Sequence, residues 1–166
     1  TEVLALIESK VGINKSNQWI EREISLKFTP AREANLAQLQ IDLLFQNHSQ
    51  TEQYVNYQRV SIDPHWSIVA LEGEAVESEQ AGVTSTELTT SLGAVMAEHG
   101  FLLQIPAASQ RRVTLTLQTD QPLKPRWLLV KQPGLKPSPV TVYSTSGTTT
   151  LLLDQNRLVT LDNEKR

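Results

Sequence analysis

Between residues 100 and 130 apolar and polar side chains alternate with a period of two. Phe101, Leu103 and Ile105 are separated by small or polar residues, Pro106-Ala107-Ala108-Ser109 interrupts, and Val113, Leu115 and Leu117 resume the beat. Period-two alternation puts one set of side chains on one face of a β-strand and leaves Gln104, Thr114 and Thr116 on the other. Two strands are therefore predicted, each with one wet side. A third apolar run, Trp127 to Val130, follows a bend bounded by Pro122 and Pro125. Its flanking prolines predict an edge strand open to strand addition.

The same beat recurs upstream. Ile20, Ile24, Leu26 and Phe28 share a face opposite Glu21, Glu23, Ser25 and Lys27, with Arg22 the one polar residue on the apolar side. Residues 3–11 fit a short helix stopped by Gly12 or a strand through Val3, Ala5 and Ile7. Residues 29–46 are also open. Thr29-Pro30 resembles a helix start with Leu36, Leu39 and Leu43 at helical spacing, yet Leu39, Ile41, Leu43 and Phe45 alternate, and the strand reading accounts for more of them. Strands are predicted for residues 54–62, with a bulge before Val60, and 65–76, buried on both faces near the middle. Further strands are predicted over residues 140–143, 148–153 and 157–161, after a proline-rich loop at 131–139. One helix is expected over residues 84–99. Thr84 and Glu87 have capping-box spacing, Leu88, Leu92, Val95 and Met96 form a stripe, and Gly100 stands where a helix C-cap is wanted.

These elements predict a mainly β fold, an antiparallel two-sheet sandwich with one inserted helix near residues 84–99. The alternative is an α+β ferredoxin-like core with C-terminal strands, which requires residues 29–46 to be helical. LQIDLLFQNHS, residues 39–49, and FLLQIPAASQRRVTLTLQT, residues 101–119, together resemble strands of immunoglobulin-like extracytoplasmic modules. That resemblance implies an immunoglobulin-like sandwich in a periplasmic or cell-surface setting.

At 166 residues the chain is expected to form a single domain over residues 1–166, large enough to fold without covalent staples. It has no cysteine, which removes disulfides, thiolate metal sites and cysteine nucleophiles. A formal net charge of −3 provides no basic excess for phosphate contacts, so nucleic acid is not an expected partner. No apolar run reaches the roughly 18 to 20 residues that a membrane-spanning helix needs. The chain opens on Thr1 and closes on Glu164-Lys165-Arg166. It is expected to be a fragment of a longer membrane-anchored or envelope protein.

Catalytic chemistry has few candidates. His48, His65 and His99 lack the close spacing of paired metal ligands, there is no Gly-x-Ser-x-Gly elbow, and the seven glycines form no phosphate-cradling loop. No catalytic residue, metal or cofactor is expected. Glu72 and Glu74, with Glu77 and Glu79 behind them, have the same-face spacing that acid/base work on a glycosidic bond or calcium binding would use, although a solvated strand end has the same pattern. Trp66 and Trp127 have apolar neighbours and read as core, whereas Trp19 is the best surface aromatic. Arg111, Arg112, Lys124, Arg126, Lys131 and Lys136 form a basic set that would suit an acidic partner, although a solvated rim has the same composition. The residues assigned to partner binding are Trp19, Arg111, Arg112, Arg126, Trp127 and Lys131. The expected function is a non-catalytic interaction module, extracytoplasmic, binding a protein partner within a larger assembly. The alternative is a carbohydrate-active enzyme or glycan-binding module using Glu72, Glu74 and surface aromatics.

Overall fold

The computed structural model describes residues 1–10, 16–31, 36–73, 84–89 and 95–161. Twelve strands are present among them: β1 (Glu2–Lys10), β2 (Ile20–Thr29), β3 (Ala37–Asn47), β4 (Tyr54–Ile62), β5 (Ser67–Gly73), β6 (Thr84–Thr89), β7 (Val95–Ile105), β8 (Gln110–Thr119), β9 (Arg126–Val130), β10 (Ser138–Ser144), β11 (Gly147–Leu153) and β12 (Arg157–Thr160). They form two six-stranded sheets, sheet A in the order β12-β9-β1-β4-β7-β6 and sheet B in the order β11-β10-β2-β3-β8-β5. The fold is a β-sandwich.

Its core is the inward half of each alternating pattern. Leu39, Ile41, Val113, Leu115 and Leu117 of sheet B and Ile62, Leu103 and Ile105 of sheet A are completely buried. Thr114, Thr116 and Gln118 on the other face of β8 are half-exposed. Register binds these choices together, because a slip of one residue sends every side chain to the opposite face. At one end Trp66 and Trp127 meet at a centroid separation of 5.7 Å, and Phe28 lies 4.7 Å from Trp127. The Trp127 indole donates to Lys124 O at 3.1 Å. Leu115→Ala should cost about 3 kcal/mol, the penalty of a buried cavity, and Thr116→Ala under about 1 kcal/mol. Urea denaturation of the two variants checks this, and equal losses would count against a one-sided strand.

Several expectations are corrected. Residues 84–99 contain no helix among the described residues: β6 pairs with β7 through Thr84↔Gly100 to Thr89↔Val95. The inward set of β7, Ala97, His99, Phe101, Leu103 and Ile105, extends the downstream beat back through the expected helix. The β-branched threonines at 84, 86 and 89 also favour an extended chain. Leu92 lies outside the described residues. Gly100 is mid-strand, and a Cβ there would collide with the Tyr57 ring, so its bare backbone is what lets Tyr57 lie across the sheet. With β3 extended and strands at 84–89 and 95–99, the ferredoxin-like alternative is excluded.

The sheets are mixed rather than antiparallel, since β9 runs parallel to β1 and β10 parallel to β2. Both arrive after a crossing between sheets, and such connections permit parallel pairing where a tight hairpin does not. β9 is not an edge. β12 covers its other side, pairing Leu158 with Leu128 and Val159 with Trp127, and the prolines stand outside the strand, where no ladder amide is demanded. β4 runs without a register shift, and the bulge sits in β5 between Ile68 and Ala70. β5 is an edge strand, not doubly buried, and Val69 is 52% exposed.

Candidate functional site

The two outer faces of the sandwich differ in chemistry. Residues paired directly across neighbouring strands share a face. On sheet A this aligns Leu158, Leu128 and Val3 in one row, then Val130 and Ala5 with Ser61. Ile7, Arg59 and Gly100 follow, and then Ser9, Tyr57 and Leu102. No described strand packs over this face. Nevertheless Val3, Ile7, Leu128, Val130, Tyr57 and Leu102 are only half-buried, and Leu158 is 58% exposed. The middle of β1, Val3 to Ile7, and β9 from Trp127 to Val130 are thus apolar on both faces, the mark of strands covered on both sides or made to be covered. One ion pair interrupts the surface, Arg59 Nη1 to Glu98 Oε1 at 3.2 Å.

Sheet B presents the opposite surface. Its outward rows are Thr141, Ser25, Asp42, Thr114 and Glu72, then Tyr143, Lys27, Gln40 and Thr116, and on the other side Glu23, Leu44 and Arg112. Asp42 is held from two sides: Thr114 Oγ1 donates to its Oδ1 at 2.6 Å and Gln40 Nε2 to its Oδ2 at 3.0 Å.

Two polar clusters are buried between the sheets, at opposite ends of the inward face of β1. In the first, Arg22 donates through Nε and Nη2 to both oxygens of Glu8, the Nη2 bond being 2.5 Å. Tyr54 Oη donates to Glu8 Oε2 at 2.6 Å and Asn56 Nδ2 donates to the same atom at 3.1 Å. Burial pulls the guanidinium down, but its bonds to Glu8 and that residue's charge outweigh this and hold Arg22 above its ordinary value. Burial, followed by the Glu8 carboxylate, pushes the Tyr54 phenol up. With four hydrogen bonds from three residues on it, Glu8 is a structural counter-charge rather than an available base.

Pairing of β9 with β1 ends at Ala5, and the Gln132 side chain continues it. Glu8 N donates to Gln132 Oε1 at 2.6 Å and Gln132 Nε2 donates to Glu8 O at 3.0 Å, as a neighbouring strand would. A cavity of about 30 Å³ beside Glu8, Arg22, Gln58 and Gln132 is of the size that holds a buried water.

The second cluster gathers Glu2, Asp63, His65, Trp66 and His99. Val3 N donates to Asp63 Oδ2 at 3.2 Å, and His65 Nε2 lies 3.2 Å from Glu2 Oε1. Burial, reinforced by the bond to Asp63 and its charge, pushes the Glu2 carboxyl up to about 8, against a smaller downward pull from Trp66 and Lys124. His99 is lowered by burial and so stays neutral. A carboxyl raised this far is expected to keep its proton at neutral pH. Glu2 is 2% exposed, which seals it from any substrate in this conformation.

The residues assigned to partner binding do not come together. Trp127 is fully buried in the aromatic stack and is no surface anchor; its apolar neighbours are the two faces of a doubly apolar strand. Trp19 is 45% exposed and ends a 3₁₀ turn, Ser16–Trp19. Arg111 and Arg112 follow one another on β8 in sheet B, Arg112 in an outward row and both lining a depression beside Glu72, whereas Arg126 begins β9 in sheet A. Lys131 is spent on its own loop, donating to Gln132 O and Leu135 O at 2.6 Å each, and Lys136 donates to Gln18 O. Glu72 is exposed, while Glu74, Glu77 and Glu79 lie outside the described residues. His48 pairs with Glu21 on the surface at 3.0 Å. Among the described residues no three acidic or histidine side chains are arranged to hold a metal ion, and no helix is long and apolar enough to cross a membrane.

Sequence reasoning missed the apolar face of sheet A. Its signal was available in Val3-Leu4-Ala5-Leu6-Ile7 and Trp127-Leu128-Leu129-Val130, runs too continuous for a strand with one wet side. No family model matches the chain, and no curated protein matches it in sequence.

Proposed function

We propose that the chain is a non-catalytic interaction module that binds a protein partner through the outer face of sheet A, as an extracytoplasmic part of a larger assembly. The observation that carries this reading is the apolar row from Leu158 through Leu128 to Val3, continued by Val130, Ile7 and Tyr57, with no described strand over it. Leaving such a surface in water forgoes about 25 cal/mol for each Å² that a partner would cover, and polar-rimmed apolar patches are where protein partners dock. The Arg59–Glu98 pair within the patch supplies orientation more than affinity.

The test is site-specific photo-crosslinking in the native cell, with the reactive side chain at position 158 and, as control, at position 116 on sheet B. Position 158 should yield a discrete protein adduct that Val3→Lys abolishes while the thermal transition of the purified chain stays in place. No adduct from position 158, or the same adduct from position 116, overturns the proposal.

A further inference from the structure

We propose that the outer face of sheet B is a binding site for a neutral oligosaccharide, laid across the strands from Tyr143 on β10 to Glu72 on β5. This goes beyond the protein-partner reading and uses the opposite face. Two adjoining depressions mark the path. One of about 430 Å³ is lined by Tyr143, Lys27, Asp42, Glu23 and Arg112, and a second of about 410 Å³ continues from Arg112 to Glu72. They span five strands, roughly 19 Å at the usual inter-strand spacing, and each is within the size range of small-molecule sites.

The chemistry of the floor selects the ligand. Ser25, Thr114, Thr116, Thr141 and Gln40 offer hydroxyls and an amide that both donate and accept, which suits a molecule covered in hydroxyl groups. Asp42 is already oriented by Thr114 and Gln40, and each of its oxygens keeps a lone pair for a ligand hydroxyl. Tyr143 is 42% exposed and offers an aromatic face on which the C–H side of a sugar ring can pack. Glu23, Asp42 and Glu72 are opposed by Lys27, Arg111 and Arg112, so neither sign dominates and a neutral ligand matches best. Glu23, Lys27 and Arg112 form no ion pair with another described residue.

A protein covering this face would desolvate those charges while burying little apolar area, which is costly unless every charge finds a partner. A sugar supplies hydrogen bonds and leaves the charges partly hydrated.

The experiment is NMR titration of the purified chain with neutral tetrasaccharides of the β-1,4-glucan, α-1,4-glucan, xylan, mannan and chitin types at millimolar concentrations. At least one should shift the amides of Ser25, Asp42 and Thr114. Tyr143→Ala and Asp42→Asn should each weaken that ligand about tenfold with the rest of the spectrum unchanged, and Leu158→Lys on sheet A should leave its affinity intact. No shifts with any of the five, shifts centred away from β2, β3 and β8, or equal affinity in both sheet B variants overturns the proposal. Tighter, salt-sensitive binding of a polyuronate fragment would overturn the neutral assignment. A protein adduct at position 116 in the cell would replace the sugar by a protein.

Discussion

Arg22→Ala is expected to destabilise the chain by about 3 to 5 kcal/mol, the cost of leaving one member of a buried ion pair without its partner. The Glu8 carboxylate would keep only Tyr54 and Asn56, in a place where both charged side chains are less than a tenth exposed. Restoring compatibility, not charge, should recover most of the loss. The double variant Arg22→Met, Glu8→Leu is expected within about 1 to 2 kcal/mol of the parent, because well-packed apolar replacements of buried pairs are often neutral. A double-mutant cycle in urea measures the coupling directly. If Arg22→Ala alone costs under about 1 kcal/mol, water reaches the carboxylate and the pair is not sealed.

What the pair holds is the region where the sheets lose their neighbours. β9 stops pairing with β1 at Ala5, and β10 pairs with β2 only from Ile24 onward, so residues on the far side of both limits lack a strand on one flank. Glu8 from sheet A and Arg22 from sheet B join the sheets there, and Gln132 ties the connecting loop to β1. The interior charge thereby acts as a cross-link where ladder hydrogen bonds run out, and it anchors the open end of the apolar face on the other side of β1.

The strands legible in the sequence were those with one wet side. β2 and β8 alternate cleanly because sheet B faces water, and period-two patterning reports that difference directly, whereas β3 also carried helical spacing through Leu36, Leu39 and Leu43 and stayed open. In sheet A, β4, β12 and the second half of β7 were predicted as strands, but the two apolar faces of β1 and β9 were not legible for the same reason. Val3 to Ile7 and Trp127 to Val130 are apolar on both faces, so alternation carries no information about direction, and a proline-flanked run of this kind reads as an edge. β6 and the start of β7 were obscured by a coincidence of spacing. Thr84 and Glu87 sit three apart, as do Leu92 and Val95, and local capping signals say nothing of the long-range ladder to β4 that makes β7 a strand. Arg22 was visible as a polar residue on an apolar face, but its partner, fourteen residues upstream, is set by the crossing of the chain between sheets. Surface sites built from rows across strands, such as Tyr143, Lys27 and Gln40, require the register and cannot be read from any single stretch.

Stability should also fall by about 3 to 5 kcal/mol as pH rises through the range set by Glu2. In the unfolded chain this carboxyl releases its proton near its ordinary value of 4.5, whereas in the folded chain burial and Asp63 hold the proton to about 8. Between those limits the folded state binds more protons than the unfolded state, so the free energy of unfolding declines with pH, and the contribution is fully present below about 4.5 and gone above about 8. Each pH unit of such a gap corresponds to about 1.4 kcal/mol, reduced here by water that reaches His65, whose side chain is 28% exposed. The other groups acting on the carboxyl shape the curve less, since Trp66 and Lys124 favour ionisation only weakly. Glu2→Gln keeps the shape and the hydrogen-bonding capacity of the protonated acid while removing the titration. Urea unfolding at pH 5, 7 and 9 should therefore show the native chain losing stability relative to Glu2→Gln at each step. If the gap between the two proteins does not change with pH, Glu2 ionises as it would in an open chain and the buried proton is absent.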